Sequence, residues 1–189
     1  MAATLLTPPA TEPWTVADAK SFLRVEHDDD DALIAALIAS ARGQVEALTR
    51  RGLITQTWRL VLDGWPPDGR IAPRLAPLRA VTAARVYDAA GDAAAIDVER
   101  FVVDATTNAI AAPPWSLPPP GRTTAGIELD VTVGFGDSAP DVPDLLRHAV
   151  RTLVAHWYDN RGLAAIGAGV AMLPGSVSAM IASYRVLSL

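Results

Sequence analysis

The stretch Asp28–Gly64, DDDDALIAALIASARGQVEALTRRGLITQTWRLVLDG, sets the reading of the whole chain. Its first part has the period of a helix. Leu33, Ile34, Leu37, Ile38, Ala41, Val45 and Leu48 recur at three and four residues and form one apolar stripe. Asp28 to Asp31 stand where a helix N-terminus favours carboxylates, and Arg50, Arg51 and Gly52 supply a basic last turn and a glycine stop. At Leu53 the period drops to two. Ile54, Trp58, Leu60 and Leu62 fall on one face, with Thr55, Thr57 and Arg59 on the other. A sequence that switches period so abruptly holds both helix and strand.

Upstream, Thr15 with Asp18 three residues on predicts a capped helix over Val16–Leu23. Downstream, Gly64–Gly69 reads as a turn and short strands follow at Arg70–Leu75, Val81–Tyr87, Ala94–Asp97, Arg100–Val103 and Asn108–Ala111. The segment Pro113–Gly121, PPWSLPPPG, holds five prolines and reads as an exposed loop or extended arm. Ile127–Phe135 alternates cleanly, Ile127, Leu129, Val131 and Val133 against Glu128, Asp130 and Thr132. A second long helix opens at Asp141 or Val142, with Pro143 in its first turn, and runs to Arg161 along Leu145, Leu146, Ala149, Val150, Leu153, Val154 and Trp157. Gly162–Pro174 is a Gly/Ala loop, and a last helix begins at Pro174 or Gly175 and reaches about Tyr184. The expected fold class is α+β. It is mainly a helical bundle, with long helices about 29–51 and 143–161 and short ones about 16–23 and 175–184, carrying a β-rich insertion about 53–135.

Composition narrows the function. The chain has 189 residues, which fits one domain able to bury a core without staples. It has no cysteine, so a disulfide framework, a thiolate metal site and a cysteine nucleophile are excluded. Hydrophobic residues make up 50% and charged ones 20%, which excludes wholesale disorder. Mean hydropathy is +0.23, inflated by 35 alanines. No run of residues approaches the roughly 18 apolar residues of a membrane span. Met1–Ala10 lacks a basic start and an apolar centre, so no secretory signal is expected and the cytoplasm is the expected compartment. Net charge is −5, and the basic set is 15 arginines and Lys20, which argues against a protein that grips nucleic acid.

No catalytic constellation emerges. His27, His148 and His156 are the only histidines. His148 and His156 lie about 12 Å apart along a helix, too far for one metal without a third group between them. His156 and Asp159 stand three apart and could pair; the alternative is a helix-face histidine with its bonds satisfied. The run Asp28–Asp31 lacks the alternating ligands of a calcium loop and fits helix capping. Gly134-Phe135-Gly136 matches no phosphate-binding loop. No catalytic, cofactor or metal residue is assigned. Trp58 and Trp157 lie on predicted apolar faces and read as core. Trp65 and Trp115 sit in Pro-rich loops, where each is either a contact anchor or folded back on the sheet.

Taken in order, Trp14–Val25 (WTVADAKSFLRV), Leu53–Gly64 (LITQTWRLVLDG), Val142–Arg161 (VPDLLRHAVRTLVAHWYDNR) and Leu173–Arg185 (LPGSVSAMIASYR) resemble the head–tail connector, or adaptor, family of tailed bacteriophages and gene transfer agents. The likeness covers about 15–64 and 125–185, while 66–122 matches in texture only. It implies a single connector domain over 1–189, with the β-rich insertion at 53–140 and a C-terminal loop and arm at 162–189. It implies a structural, non-enzymatic subunit of a homo-oligomeric ring, dodecameric in the virion. That ring would sit below the portal, extend the DNA channel without binding DNA specifically, and dock a stopper or tail-completion protein. No cofactor and no membrane are implied, and the setting is the virion neck, with assembly in the host cytoplasm. The residues implied to face the portal are Pro174, Val177, Met180, Ile181, Tyr184 and Arg185. Gly175 stands where family members often carry a bulky apolar residue. The alternative is a DNA-packaging factor akin to a terminase small subunit, which would use Arg147, His148, Arg151 and Arg161 as its basic helix.

Overall fold

The change of period at Leu53 marks a real boundary. In the computed structural model, which describes residues 1–160 and 173–186, the chain divides into two compact units, one built from Met1–Ala10 and Thr55–Gly134, the other from Thr11–Ile54 and Phe135 onward. In chain order the elements are β1 (Ala2–Thr7), α1 (Val16–Leu23), α2 (Asp31–Thr49), β2 (Gln56–Leu62), β3 (Arg70–Ile71), β4 (Leu78–Tyr87), β5 (Ala93–Ile96), β6 (Val102–Asp104), β7 (Ala109–Ala111), β8 (Ile127–Val133), α3 (Asp144–Asp159) and α4 (Gly175–Ile181).

The helical unit is organised by caps and stripes. Thr15 and Asp18 form a capping box at α1: the Thr15 hydroxyl accepts from the Asp18 amide at 3.1 Å, and the Asp18 carboxylate reaches back to the Thr15 amide. Helix α2 buries Ile34, Ile38, Ala41, Val45 and Thr49, spaced at four and three. The Thr49 hydroxyl donates to the Val45 carbonyl at 2.7 Å, which satisfies it inside the core. The helix stops at Arg50, whose φ of 57° places it in the left-handed region. The stop is therefore two residues earlier than Gly52. Helix α3 buries Leu146, Ala149, Val150, Leu153 and Val154, and α4 buries Val177 and Ile181 in the same core. Each fully buried Leu or Ile contributes about 2 kcal/mol of transfer free energy.

The β unit has two antiparallel sheets. The larger has the order β1-β2-β8-β4-β5, and the smaller β3-β7-β6. On the larger sheet Leu60 faces Leu129, and Leu62 faces Ile127. These side chains pack with Ile71, Ile110, Phe101 and Leu117 into one apolar core. The alternation of Ile127–Val133 makes β8 the central strand, paired on both sides.

This architecture corrects the expected fold. Among the described residues there are four α-helices and eight strands in two antiparallel sheets, not a mainly helical bundle of long helices with a β insertion. Amphipathic helices announce themselves over many residues, whereas strands of two to four residues leave little pattern. Strand β1 leaves none, because all six of its residues are exposed. Other bounds shift too. Arg70–Ile71 is shorter than the expected strand, and α4 ends at Ile181, with a 3₁₀ turn continuing over Ala182–Tyr184. The Pro-rich segment contains a 3₁₀ turn at Pro114–Ser116 and is tied down by buried Leu117 and by the Gly121 amide, which donates to Tyr87 at 2.8 Å. Arg161 and most of the 162–174 loop lie outside the described residues.

Candidate interaction surfaces

Three groups of side chains bring charges and aromatic rings together. The first is on β2, β8 and β4. Register places Arg59 opposite Asp130 and Arg85 opposite Glu128. Arg59 grips Asp130 as a fork, Nε to Oδ1 at 2.7 Å and Nη2 to Oδ2 at 3.0 Å. Arg85 reaches the same carboxylate at 2.9 Å, and Arg59 approaches Glu128 at 3.2 Å. The Arg59 fork holds the Asp130 carboxyl below the usual carboxylate range, and Asp130 in turn raises Arg59. Burial and Glu128 push the Tyr87 phenol up, while the Arg122 guanidinium lies 3.8 Å from its ring centre. Arg59 and Arg85 are matched by Asp130 and Glu128, and Arg122 adds one positive charge, so this face stays near neutrality.

The second group lies between α1 and α3. The Trp14 indole donates to the Arg147 carbonyl at 2.8 Å. The Arg147 guanidinium stacks 4.6 Å over the Trp14 ring, and Arg151 lies 5.0 Å from Trp14 and 4.4 Å from Phe22. Arg151 also meets His148 Nδ1 at 3.0 Å. The arginines that a DNA-reading helix would present are thus laid against aromatic rings, and the fourth member of that set, Arg161, is outside the described residues.

The third is the acidic run. Lys20 bridges Asp28 at 2.5 Å and Asp31 at 2.7 Å. Hydrogen bonding to Asp28 raises Lys20, and Lys20 lowers Asp28. The Tyr158 hydroxyl donates to Asp30 at 2.5 Å, joining α3 to the start of α2. A cleft lined by Val16, Lys20, Arg24 and Asp31 sits here, its ammonium group already paired. No group of three His, Asp or Glu among the described residues is arranged to hold a metal ion.

The two loop tryptophans part ways. Trp65 is half-buried, donates to the Pro118 carbonyl at 2.9 Å and packs against Phe101 with ring centres 6.0 Å apart. Trp115 is 88% exposed. Of the C-terminal residues, Val177 and Ile181 are fully buried, Pro174, Met180 and Tyr184 are half-buried, and Arg185 is exposed. The Tyr184 carbonyl accepts from Arg51 Nε at 2.6 Å, which anchors the segment's end.

Comparison with known proteins places this arrangement. A family profile described as "Phage gp6-like head-tail connector protein" matches residues 14–84. A chain from the neck of an empty gene transfer agent particle, computed with C6 symmetry, is 30% identical with a TM-score of 0.81, over 100% of this chain and 97% of that one. The chain belongs to the head–tail connector family. A chain of the native gene transfer agent virion matches this connector at 27% identity and TM-score 0.80, again over 100% and 97% of the two chains. A neck chain of the native particle, computed with C12 symmetry, matches at 28% identity and TM-score 0.71, over 98% and 97%. No curated protein matches. The connector is a structural protein of the virion neck in phages and gene transfer agents, and the likeness spans 66–122, where the sequence resembled the family in texture only.

Sequence reasoning missed some surface residues of this connector. Leu5 and Leu6 on β1, Phe22 on α1 and Val102 on β6 are exposed apolar side chains. Pattern marks Phe22 and Val102 as ordinary apolar positions, and only the fold shows that they remain exposed, Phe22 with Arg151 over its ring.

Proposed function

We propose that this connector is a subunit of a closed homo-oligomeric ring, twelve copies in the virion. The ring lies below the portal, extends the DNA channel and receives the next neck or tail component, and the chain catalyses no reaction. The observation that carries this reading is the likeness, over 97% or more of both chains, to a chain in a neck computed with C12 symmetry. A net charge of −5 supports passage of DNA without capture, because binding draws its free energy from neutralising phosphates. The near-neutral sheet face and the aromatic-stacked Arg147 and Arg151 support the same reading.

The C-terminal segment is the portal-facing element in this reading. Val177 and Ile181 root it in the core, while Pro174, Met180, Tyr184 and Arg185 offer the contact surface. Trp115 is the contact anchor on the β unit, and Trp65 steadies the loop that presents it through Pro118. Assembly takes place in the host cytoplasm.

The experiment is assembly of particles carrying Tyr184→Ala with Arg185→Glu. These changes leave Val177 and Ile181 in place, and an unchanged thermal melt of the variant is the control for folding. The expected product is portal-bearing heads without tails. Normal tail attachment overturns the portal assignment. A gel shift with duplex DNA separates the connector from a packaging factor: no retention at low salt is expected, and tight salt-dependent binding overturns passive passage.

A further inference from the structure

We propose that copies of the chain join edge to edge through their larger sheets, β1 of one copy pairing with β5 of the next. The proposal rests on the ring reading above and names the surface that closes the ring. The larger sheet has two free edges, β1 and β5, at its opposite ends. All six residues of β1 are exposed, as are Ala93, Ala94 and Ala95 of β5. A free edge presents backbone N–H and C=O groups to any strand that fits, and proteins that must stay single blunt such edges with charge, proline or cover. Neither edge here is blunted. AATLLT and AAAI carry no charged residue and no proline.

Symmetry supplies the partner. In a cyclic ring each contact joins two different surfaces of the same chain. The two ends of the larger sheet are two such surfaces, on opposite sides of the β unit. Side-chain placement agrees with it. Leu5 lies opposite Trp58 and Ala94 opposite Val86, so both edges point apolar residues to the core face. Leu5 is 41% exposed on the edge strand, and a neighbour's β5 would cover it. On the other face Thr4 lies opposite Arg59, while Ala93 and Ala95 lie opposite Tyr87 and Arg85, side chains short enough for a strand to approach closely.

The test uses the chain's lack of cysteine. Thr4→Cys and Ala95→Cys are combined in one full-length chain, with Thr4→Cys and Ala93→Cys as a second register two residues away on the same face, and the assembled necks are oxidised. Within one copy the two edges are four strand spacings apart, about 19 Å, far beyond the roughly 7 Å limit for a disulfide. Any bond must therefore join copies. The expected result is a ladder of cross-linked species up to the closed ring, absent from every single-cysteine variant. Rings seen by electron microscopy that yield only monomer in all registers overturn edge pairing, as does a cross-link from β1 to a different neck protein. Failure to form any ring overturns the ring reading and this proposal with it. Ala93→Lys with Ala95→Lys gives a second arm: a subunit with an unchanged thermal melt that no longer forms rings is expected, and normal rings overturn the proposal.

Discussion

Asp130 shows how much one carboxylate can organise. It is buried, and both of its oxygens are engaged by Arg59 and Arg85. Asp130→Asn keeps the shape but removes the charge that these two arginines face, and it is expected to lower stability by about 2 kcal/mol in urea unfolding. The same carboxylate gives an acid dependence. Asp130 binds its proton more weakly in the folded chain than in the unfolded one, so the unfolded chain takes up more protons in acid. Its contribution is full above about pH 4 and is lost as pH falls further. Wild type is expected to lose more stability than Asp130→Asn between neutral pH and acid, a difference that melting curves across that range would measure. At α1, Thr15→Ala removes the capping hydroxyl and is expected to cost about 1 kcal/mol.

The secondary-structure elements differ in how they are held. Helices α2 and α3 are held by stripes that any substitution analysis would find. The small sheet depends instead on close backbone approach. Gly69 has φ +69°, and a Cβ there would stand 2.2 Å from the Ala112 carbonyl oxygen. Its own carbonyl accepts from the Ala112 amide at 3.0 Å, where the chain enters β3. Gly69→Ala is expected to destabilise the chain by more than about 1 kcal/mol, seen as a lower urea midpoint. The acidic run was readable as a helix start, and Asp31 does open α2. That Lys20 and Tyr158 claim its carboxylates was not readable, because those partners come from other helices.

For the assembled neck, the decisive residues are those that the fold leaves uncovered. Trp115 adds little to the fold, so Trp115→Ala is expected to leave the melt unchanged. As a contact anchor it should still reduce tail attachment in an assembly assay, and unchanged attachment would show that the side chain is idle. Trp65 and Trp115 have similar Pro-rich surroundings in the sequence, yet one is folded against Phe101 and the other stands in solvent. Similarly, the spacing of Val177, Met180, Ile181 and Tyr184 marks an apolar face but not whether that face meets the chain's own core or a partner.

Consecutive residues were enough to establish the apolar stripes of α2 and α3, the cap at Thr15, the alternation of β2 and β8 and the likeness to connectors, because each of these is written in local periodicity or local motif. Pairing partners were not written there. The order β1-β2-β8-β4-β5 joins residues from the start, middle and later part of the chain, and the Arg59–Asp130 fork spans 71 positions. Strand β1 exists through its ladder with β2 and has no hydrophobic pattern of its own, since a strand exposed on both faces needs none. Folding alone set which apolar side chains were covered and which sheet edges were left open, because coverage depends on what the rest of the chain brings alongside.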